Sequence, residues 1–508
     1  MRHSINASVI ERWGMLEVGV SGKTNGNPFV DDALQGVFRH QNETVKVDGF
    51  YDGEGIYRVR FMPSYAGEYT YRITGNCLEE EVTGAFTAVA PTGNNHGPVR
   101  VANTYHFAYE DGLPFYPIGT TCYAWTHQAE PLRKQTLETL RHSPFNKIRF
   151  CVFPKHYVYN FHEPETYPYE GTPCDASGLN ADTFRYEGAL PGNDWDFTRF
   201  NPEHFRRIEY YIEALMQLGI QADIIVMHPY DRWGFRNMGA EADDLYWHYV
   251  VNRFSAYRNV WWSLANEYDF MPEKTIADWE RYASIILKQD PYNRLRSIHN
   301  GRVLYDHARP WITHCSYQRV DTTRTAEETD NLRLRYQKPV VLDEICYEGN
   351  IEHGWGNISG QEMTRRFWEA MCRGGYPGHG ETFDRPDGIL WWSHGGQLHG
   401  DSPKRIAFMR SILEAAPGHG LMPVRKFWDV TCAAPQGMLD DGRYYLVYFG
   451  IAQPAFRRFH FDDETTYQVD VIDTWDMTIT PAGCHKGRMN IPLPGKPYMA
   501  VRFQKQKA

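Results

Sequence analysis

Two short apolar runs in this chain stop at carboxylates. Trp261-Trp-Ser-Leu-Ala-Asn266-Glu267 and Val340-Val-Leu-Asp343-Glu344 both read as buried strands whose last residues turn polar and acidic. Two carboxylates on facing strands across one mouth can flank a glycosidic bond: one protonates the leaving oxygen while the other attacks or stabilises the oxocarbenium-like centre. The two roles need unequal pKa values, which dissimilar surroundings supply. A buried pair without such use would repel, so a purely structural pair needs a cation beside each member. Arg149 is flanked by Ile148 and Phe150, an alternation that turns it inward, and an inward guanidinium needs a carboxylate partner such as Glu344.

Those residues require a scaffold that delivers strand ends to one place. From about 115 to 415 the chain consists of short apolar runs separated by helical patterns, the texture of a parallel sheet with covering helices. Eight strands are expected: Phe115–Thr120, Lys147–Phe153, Ile220–Met227, Asn259–Ala265, Leu295–His299, Trp311–Tyr317, Pro339–Glu344 and Gly388–Trp392. Eight strands over roughly 300 residues match a (β/α)8 TIM barrel, in which active groups come from the C-terminal ends of strands. A doubly wound sheet would want a Gly-rich phosphate loop after strand one, where this chain reads Gly119-Thr-Thr-Cys-Tyr-Ala-Trp125. Helices are expected over Glu203–Leu218, Thr275–Lys288 and Gln361–Arg373, the last opened by a capping box of Ser359 and Glu362. The segment from about 154 to 201, carrying Tyr157, Tyr159, Tyr167, Tyr169, Tyr186 and Trp195, is too long for an ordinary βα loop and reads as a wall or lid.

The ends of the chain differ from its middle. In the first ninety residues Tyr57, Val59 and Phe61 interleave with Arg58 and Arg60, and Tyr69, Tyr71 and Ile73 with Thr70 and Arg72, the period-two pattern of a half-buried sheet. Pro91-Thr-Gly-Asn-Asn-His-Gly-Pro98 breaks it, and period two returns after Glu414-Ala-Ala-Pro-Gly-His-Gly-Leu-Met-Pro423. The expected division is an N-terminal immunoglobulin- or fibronectin-like β-sandwich over 1–95, a catalytic barrel over 96–415 and a C-terminal β-sandwich over 416–508.

Composition narrows the function. The chain has 508 residues and a net charge of −10, with no Lys/Arg block to track phosphates, so no nucleic acid partner is expected. No apolar run is long enough for a membrane span, and the first residues lack the apolar core of a signal peptide, which points to the cytoplasm. Nine dispersed cysteines without CxxC or metal-ligand spacing read as reduced, mostly buried thiols. With 33 Tyr, 27 Phe and 15 Trp, the aromatic content suits sugar faces as well as β-sandwich cores.

This order of motifs resembles the clan of retaining β-glycosidases whose acid/base follows an Asn at the end of strand four and whose nucleophile ends strand seven. The resemblance implies that Asn266 binds the sugar 2-hydroxyl, Glu267 is the acid/base and Glu344 the nucleophile, oriented by Arg149. It also implies His228 closing strand three, Tyr317 closing strand six, and Trp391 or Trp392 on strand eight as the floor of the sugar subsite. More narrowly, Gly49-Phe-Tyr-Asp-Gly-Glu-Gly-Ile-Tyr-Arg-Val-Arg-Phe-Met-Pro63, Phe115-Tyr-Pro-Ile-Gly-Thr-Thr-Cys-Tyr-Ala-Trp125 and Asn266-Glu-Tyr-Asp269 resemble a three-part bacterial family with an apiosidase-like barrel between two sandwiches. Apiosidases of that family place an Asp where this chain has Glu267.

Several residues keep two readings. His228 is a substrate contact or a satisfied loop histidine, Tyr317 a site residue or packing, and Trp125 a sugar platform or a barrel cap. Two other functions compete: a metal-dependent barrel hydrolase using His228, His299 and His314, although strand one lacks a His-x-His pair, and a non-catalytic carbohydrate-binding protein. The favoured expectation is a retaining, exo-acting glycoside hydrolase that needs no cofactor and takes an oligosaccharide or glycoside substrate. The flanking sandwiches bind glycan, pack on the barrel or build a homo-oligomer.

Overall fold

The computed structural model of the protein describes residues 3–185, 188–319, 321, 326–437 and 442–506. Tyr186, one of the aromatic residues expected in the long insertion, lies outside the described residues.

Eight parallel strands occupy the centre: β1 (Gly119–Thr121), β2 (Lys147–Cys151), β3 (Gln221–Met227), β4 (Val260–Ala265), β5 (Arg296–Ser297), β6 (Cys315–Gln318), β7 (Val340–Glu344) and β8 (Tyr376–His379). Their order in the sheet is β5-β4-β3-β2-β1-β8-β7-β6, so the β5/β6 seam alone lacks a ladder among the described residues. Isolated bonds outside a ladder bridge that seam, among them Thr313 N to Arg296 O at 3.0 Å, Arg296 N to Thr313 Oγ1 at 2.8 Å and Gln318 N to Asn300 Oδ1 at 3.2 Å. The result is a nearly closed (β/α)8 barrel. Residues of β2, β3, β4 and β7 are buried throughout, as strands covered on both faces must be.

The helices outside are α1 (Glu130–Arg141), α2 (Pro202–Gln217), α3 (Ala240–Phe254), α4 (Ile276–Gln289), α5 (Thr329–Tyr336), α6 (Gly360–Cys372), α7 (Trp391–His394) and α8 (Ser402–Glu414). Thr275 and Asp278 cap α4 reciprocally. At α6 only half of the expected box forms. Ser359 accepts from Glu362 N at 3.2 Å, but the Glu362 carboxylate turns to Arg365 and Arg366, because two guanidinium donors bind it more strongly than one backbone N–H.

Three expected strands are corrected. Gly388–Trp392 is not the eighth strand; Trp391–His394 is a single helical turn, and Tyr376-Pro-Gly-His379 closes the barrel instead. That strand carries little apolar signal, since its Gly378 is demanded by close approach: a Cβ there would lie 2.5 Å from Asp343 O of β7. The first strand is divided, with Pro114–Phe115 pairing antiparallel to His106–Tyr109 and β1 beginning only at Gly119. Phe107 of this preceding hairpin packs against Trp261, His314 and Tyr376 at ring distances of 5.2–5.8 Å and fills the barrel floor. The sixth strand runs one residue further than expected, to Gln318, and a register irregularity between Ser316 and Gln318 sets Gln318 opposite Glu344.

Both chain ends are β-rich. Leu16–Ser21 and Ile56–Phe61 belong to one N-terminal sheet, Leu34–His40 and Gly67–Gly75 to another, and their apolar residues, including Val18, Phe38, Val59 and Ile73, share one cluster. After α8 a six-stranded sheet and a two-stranded ribbon enclose a cluster that includes Val447, Phe459 and Phe503. Arg60, expected on the solvent side of its strand, is buried against the barrel, where it pairs with Glu209 of α2. All nine cysteines are free, and eight of them are buried. No helix among the described residues is long and apolar enough to cross a membrane.

Candidate active site

The barrel interior is layered by charge. Above the Phe107 floor, Lys147 Nζ bridges Asp223 at 2.6 Å and Asp343 at 2.8 Å. Burial opposes ionisation of Asp343, but Lys147 and Arg149 outweigh it and hold this carboxyl well below the usual range. Arg149, 1 % exposed, forms the next layer: Nη2 donates to Asn266 Oδ1 at 3.3 Å, and Nη1 lies 3.7 Å from Glu344 Oε1.

At the mouth, Glu267 follows β4 and Glu344 ends β7; they are 5 % and 7 % exposed, and both line one cavity of about 500 Å³. This size falls in the usual range for small-molecule sites, roughly 300–1,000 Å³. Glu267 holds a left-handed backbone (φ 49°), a conformation rare outside glycine. Its Oε2 accepts from the Tyr230 hydroxyl and from Asn266 Nδ2 at 3.0 Å, and its Oε1 from Gln318 Nε2 at 3.0 Å. Burial, then the negative charge of Glu344, raises the Glu267 carboxyl to about 7, against the opposing effect of Tyr230, Gln318 and Lys155. Glu344 Oε1 accepts from the Tyr123 hydroxyl, and His299 Nε2 stands 3.9 Å away. One carboxyl is thus biased toward its protonated form while the other faces a guanidinium.

A buried lysine completes the site. Lys155 Nζ sits 3.8 Å from the ring centre of Tyr123 and 4.3 Å from those of Tyr230 and Trp392, with no carboxylate within 4.0 Å among the described residues. Burial lowers this amine to about 8, while the charges of Glu267 and Glu344 hold it up.

Of the residues singled out in the sequence, Glu267, Glu344 and Trp392 line the cavity, and Asn266 and Arg149 are buried behind the two carboxylates. Four others lie off the cavity wall. His228 binds Phe153 O through Nε2 at 3.2 Å and receives Tyr230 N on Nδ1, so backbone groups use both ring nitrogens. Trp391 donates to Thr120 Oγ1, and Trp125 is fully buried between Phe150 and Tyr211. Tyr317 packs against the core, since the β6 irregularity delivers its neighbour Gln318 inward. Nor do the three histidines of the metal alternative meet: His314 faces the floor, His228 the backbone and His299 the mouth. Among the described residues one group has ligand-like spacing, Glu348, His379 and Glu381, and Glu348 accepts from Asp401 N and Ser402 N at the start of α8.

Tyr123, Lys155, Tyr230 and Gln318 were missed. Each lies within two residues of a strand end or a residue already noted, and period-two or loop patterns give no direction for such side chains. The insertion contributes His156, Tyr157, Phe184 and Arg185 to the cavity wall, whereas Tyr167, Tyr169 and Trp195 pack against the barrel core.

The barrel with polar strand ends at its mouth is a glycoside hydrolase-like fold. Residues 101–398 match the profile of the apiosidase-like catalytic domain, and the chain belongs to that family. Residues 9–76 and 428–504 match two domains of unknown function, DUF5060 and DUF5605. A candidate glycoside hydrolase from Bacteroides vulgatus superposes with a TM-score of 0.90 at 35 % identity, covering 98 % of this chain and 100 % of its own. A family 5 glycoside hydrolase from the same organism gives 0.59 at 15 % identity, covering 81 % and 94 %, and a further glycoside hydrolase gives 0.58 at 14 %, covering 81 % and 97 %. No curated protein matched.

Proposed function

We propose that the protein is a retaining glycoside hydrolase that cleaves a β-glycosidic bond, with Glu267 as acid/base and Glu344 as nucleophile. The observation that carries this reading is the pair of buried carboxylates at the ends of β4 and β7, opening on one cavity, with Glu267 raised to about 7. Glu267 donates its proton to the leaving oxygen as Glu344 attacks the anomeric carbon, giving a glycosyl ester; water activated by Glu267 then releases the sugar. Arg149 and the Tyr123 hydroxyl hold the Glu344 carboxylate in place, while Asn266 accepts from both of these groups and donates to Glu267, which sets it between the two carboxylates as the candidate partner of a sugar hydroxyl. The family and the similar structure from Bacteroides vulgatus support hydrolysis of a carbohydrate.

The same proposal takes 96–415 as the hydrolytic unit between β-sandwich modules. Exo action is supported by the walls that the insertion and Trp355 raise around the cavity. The test is hydrolysis of aryl β-glycosides, with proton NMR of the first-formed anomer, by the wild type and Glu344→Gln. Release of the β-anomer by the wild type alone is expected; first release of the α-anomer would replace retention with inversion. From oligosaccharides, single sugars should appear from one end, and internal fragments would refute exo action.

A further inference from the structure

The cavity wall carries three arginines, Arg185, Arg236 and Arg302, beside Asp231 and the two catalytic carboxylates, in a chain whose net charge is −10. Its other charged groups divide into satisfied and unsatisfied ones. Asp231 is occupied by the backbone N–H groups of Trp233, Gly234 and Arg236, and Arg236 pairs with Glu273 at 3.0 Å. Arg302 and Arg185 line the cavity, are exposed, and have no carboxylate partner among the described residues, although Arg185 Nη1 donates to Asp182 O at 3.1 Å and Phe184 O at 2.6 Å. Lys155 lies behind the aromatic wall in its cage of rings.

Arg302 is held in place with some care. Asp269, two residues beyond Glu267, accepts from Gly301 N at 2.5 Å and from Arg302 N and Val303 N at 2.7 Å each. One carboxylate therefore fixes the turn that carries Arg302, whose guanidinium extends 5.8 Å from the centre of the Phe270 ring. Gly301 also lines the cavity, and a Cβ there would lie 2.6 Å from the Phe270 ring, so the turn is seated tightly on that wall. A planar guanidinium on a fixed turn, its donors without a hydrogen-bond acceptor among the described residues, is suited to a planar or tetrahedral oxyanion.

Resting on the glycosidase reading, we propose that the substrate is an acidic glycoside, its sugar bearing a carboxylate or a sulfate that Arg302 binds at the cavity wall, with Arg185 and Lys155 supplying a field that draws anions in. A neutral sugar leaves the Arg302 guanidinium unmatched, whereas one anionic substituent gives it a charge-assisted partner.

The experiment compares aryl β-glycosides in matched sets that differ only at C6: hydroxymethyl, carboxylate, or hydroxymethyl 6-sulfate, in the gluco, galacto and manno series. The wild type should favour a charged member over its neutral counterpart by about tenfold or more in kcat/KM, the worth of one charge-assisted pair. Arg302→Ala should shrink that ratio about tenfold, and Arg302→Lys should restore part of it. The carboxylate and sulfate arms identify which anion is native. Preference for the neutral member in every hydrolysed set, or an Arg302→Ala effect equal on both members, overturns the proposal and leaves the glycosidase reading standing. If no set is hydrolysed, the glycosidase reading fails. Calorimetric binding of the same compounds to the full chain then decides: tighter binding of charged members, weakened in Arg302→Ala, keeps the acidic-ligand proposal, and equal or absent binding refutes it.

Discussion

Two buried clusters of charge in this molecule are built in opposite ways. Where the N-terminal sheets meet the barrel, Glu209 is gripped by Arg60 at 2.6 and 3.0 Å and by Arg253 at 2.6 and 2.9 Å, and Arg253 reaches on to Asp52 at 2.8 Å. Burial works against ionising Glu209 and Asp52, yet the surrounding guanidiniums prevail and both carboxyls fall below their ordinary range. At the barrel mouth Glu267 is as buried but meets hydroxyl and amide donors in place of guanidiniums, and burial with the charge of Glu344 outweighs them, so its carboxyl rises. The same residue type serves structure in one cluster and chemistry in the other because its neighbours differ.

The sharpest way to break this contrast is to remove one carboxylate from each cluster. Glu344→Gln should lower kcat on an aryl glycoside by on the order of 10⁴-fold or more, as loss of one member of a catalytic unit does, with little change in unfolding by urea. Glu209→Gln should do the reverse. It strands two buried guanidiniums and should cost roughly 3–5 kcal/mol in urea unfolding, while activity per folded molecule is kept. Equal stability losses in the two variants would show that the mouth is as structural as the Glu209 cluster.

The pH dependences should also run in opposite directions. Between the ordinary carboxylate range and about 7, folded Glu267 keeps a proton that the unfolded chain has lost, so its contribution to stability declines as pH rises through that window. Glu209 and Asp52 are depressed in the fold, so their contribution is present at neutral pH and is lost as pH falls through the acid range. Denaturant midpoints from pH 4 to 8 should therefore rise relative to wild type at the upper end in Glu267→Gln and flatten at the lower end in Glu209→Gln. In kinetics, kcat/KM should fall as pH rises through about 7, where the acid loses its proton.

The smallest expected effect refines the mouth alone. The Tyr230 hydroxyl favours the charged form of Glu267, so Tyr230→Phe should move the basic limb of the kcat/KM profile to higher pH, by less than about one unit. A shift to lower pH would mean that Tyr230 acts through the protonated acid instead.

The carboxylates themselves were legible because Trp261–Ala265 and Val340–Leu342 are long enough apolar runs to declare strands, and a charge ending such a run stands out. The eighth strand was not, because Tyr376-Pro-Gly-His379 is selected by close approach to β7 and not by hydrophobicity, while the apolar Leu390-Trp391-Trp392 next door forms a helical turn. The register irregularity in β6 that exchanges Tyr317 for Gln318 has no local signature either.

The sequence alone therefore determined the barrel, the β-rich ends and the two strands that carry Glu267 and Glu344, since periodicity and burial are local properties of a run of residues. Which side chains meet at the mouth was decided by the tertiary structure. The direction of Gln318, the ring cage around Lys155 and the Asp269 carboxylate beneath Arg302 depend on elements distant in the chain. So does the raised pKa of Glu267, because desolvation and the charge of Glu344 act through space and leave no mark on the order of residues.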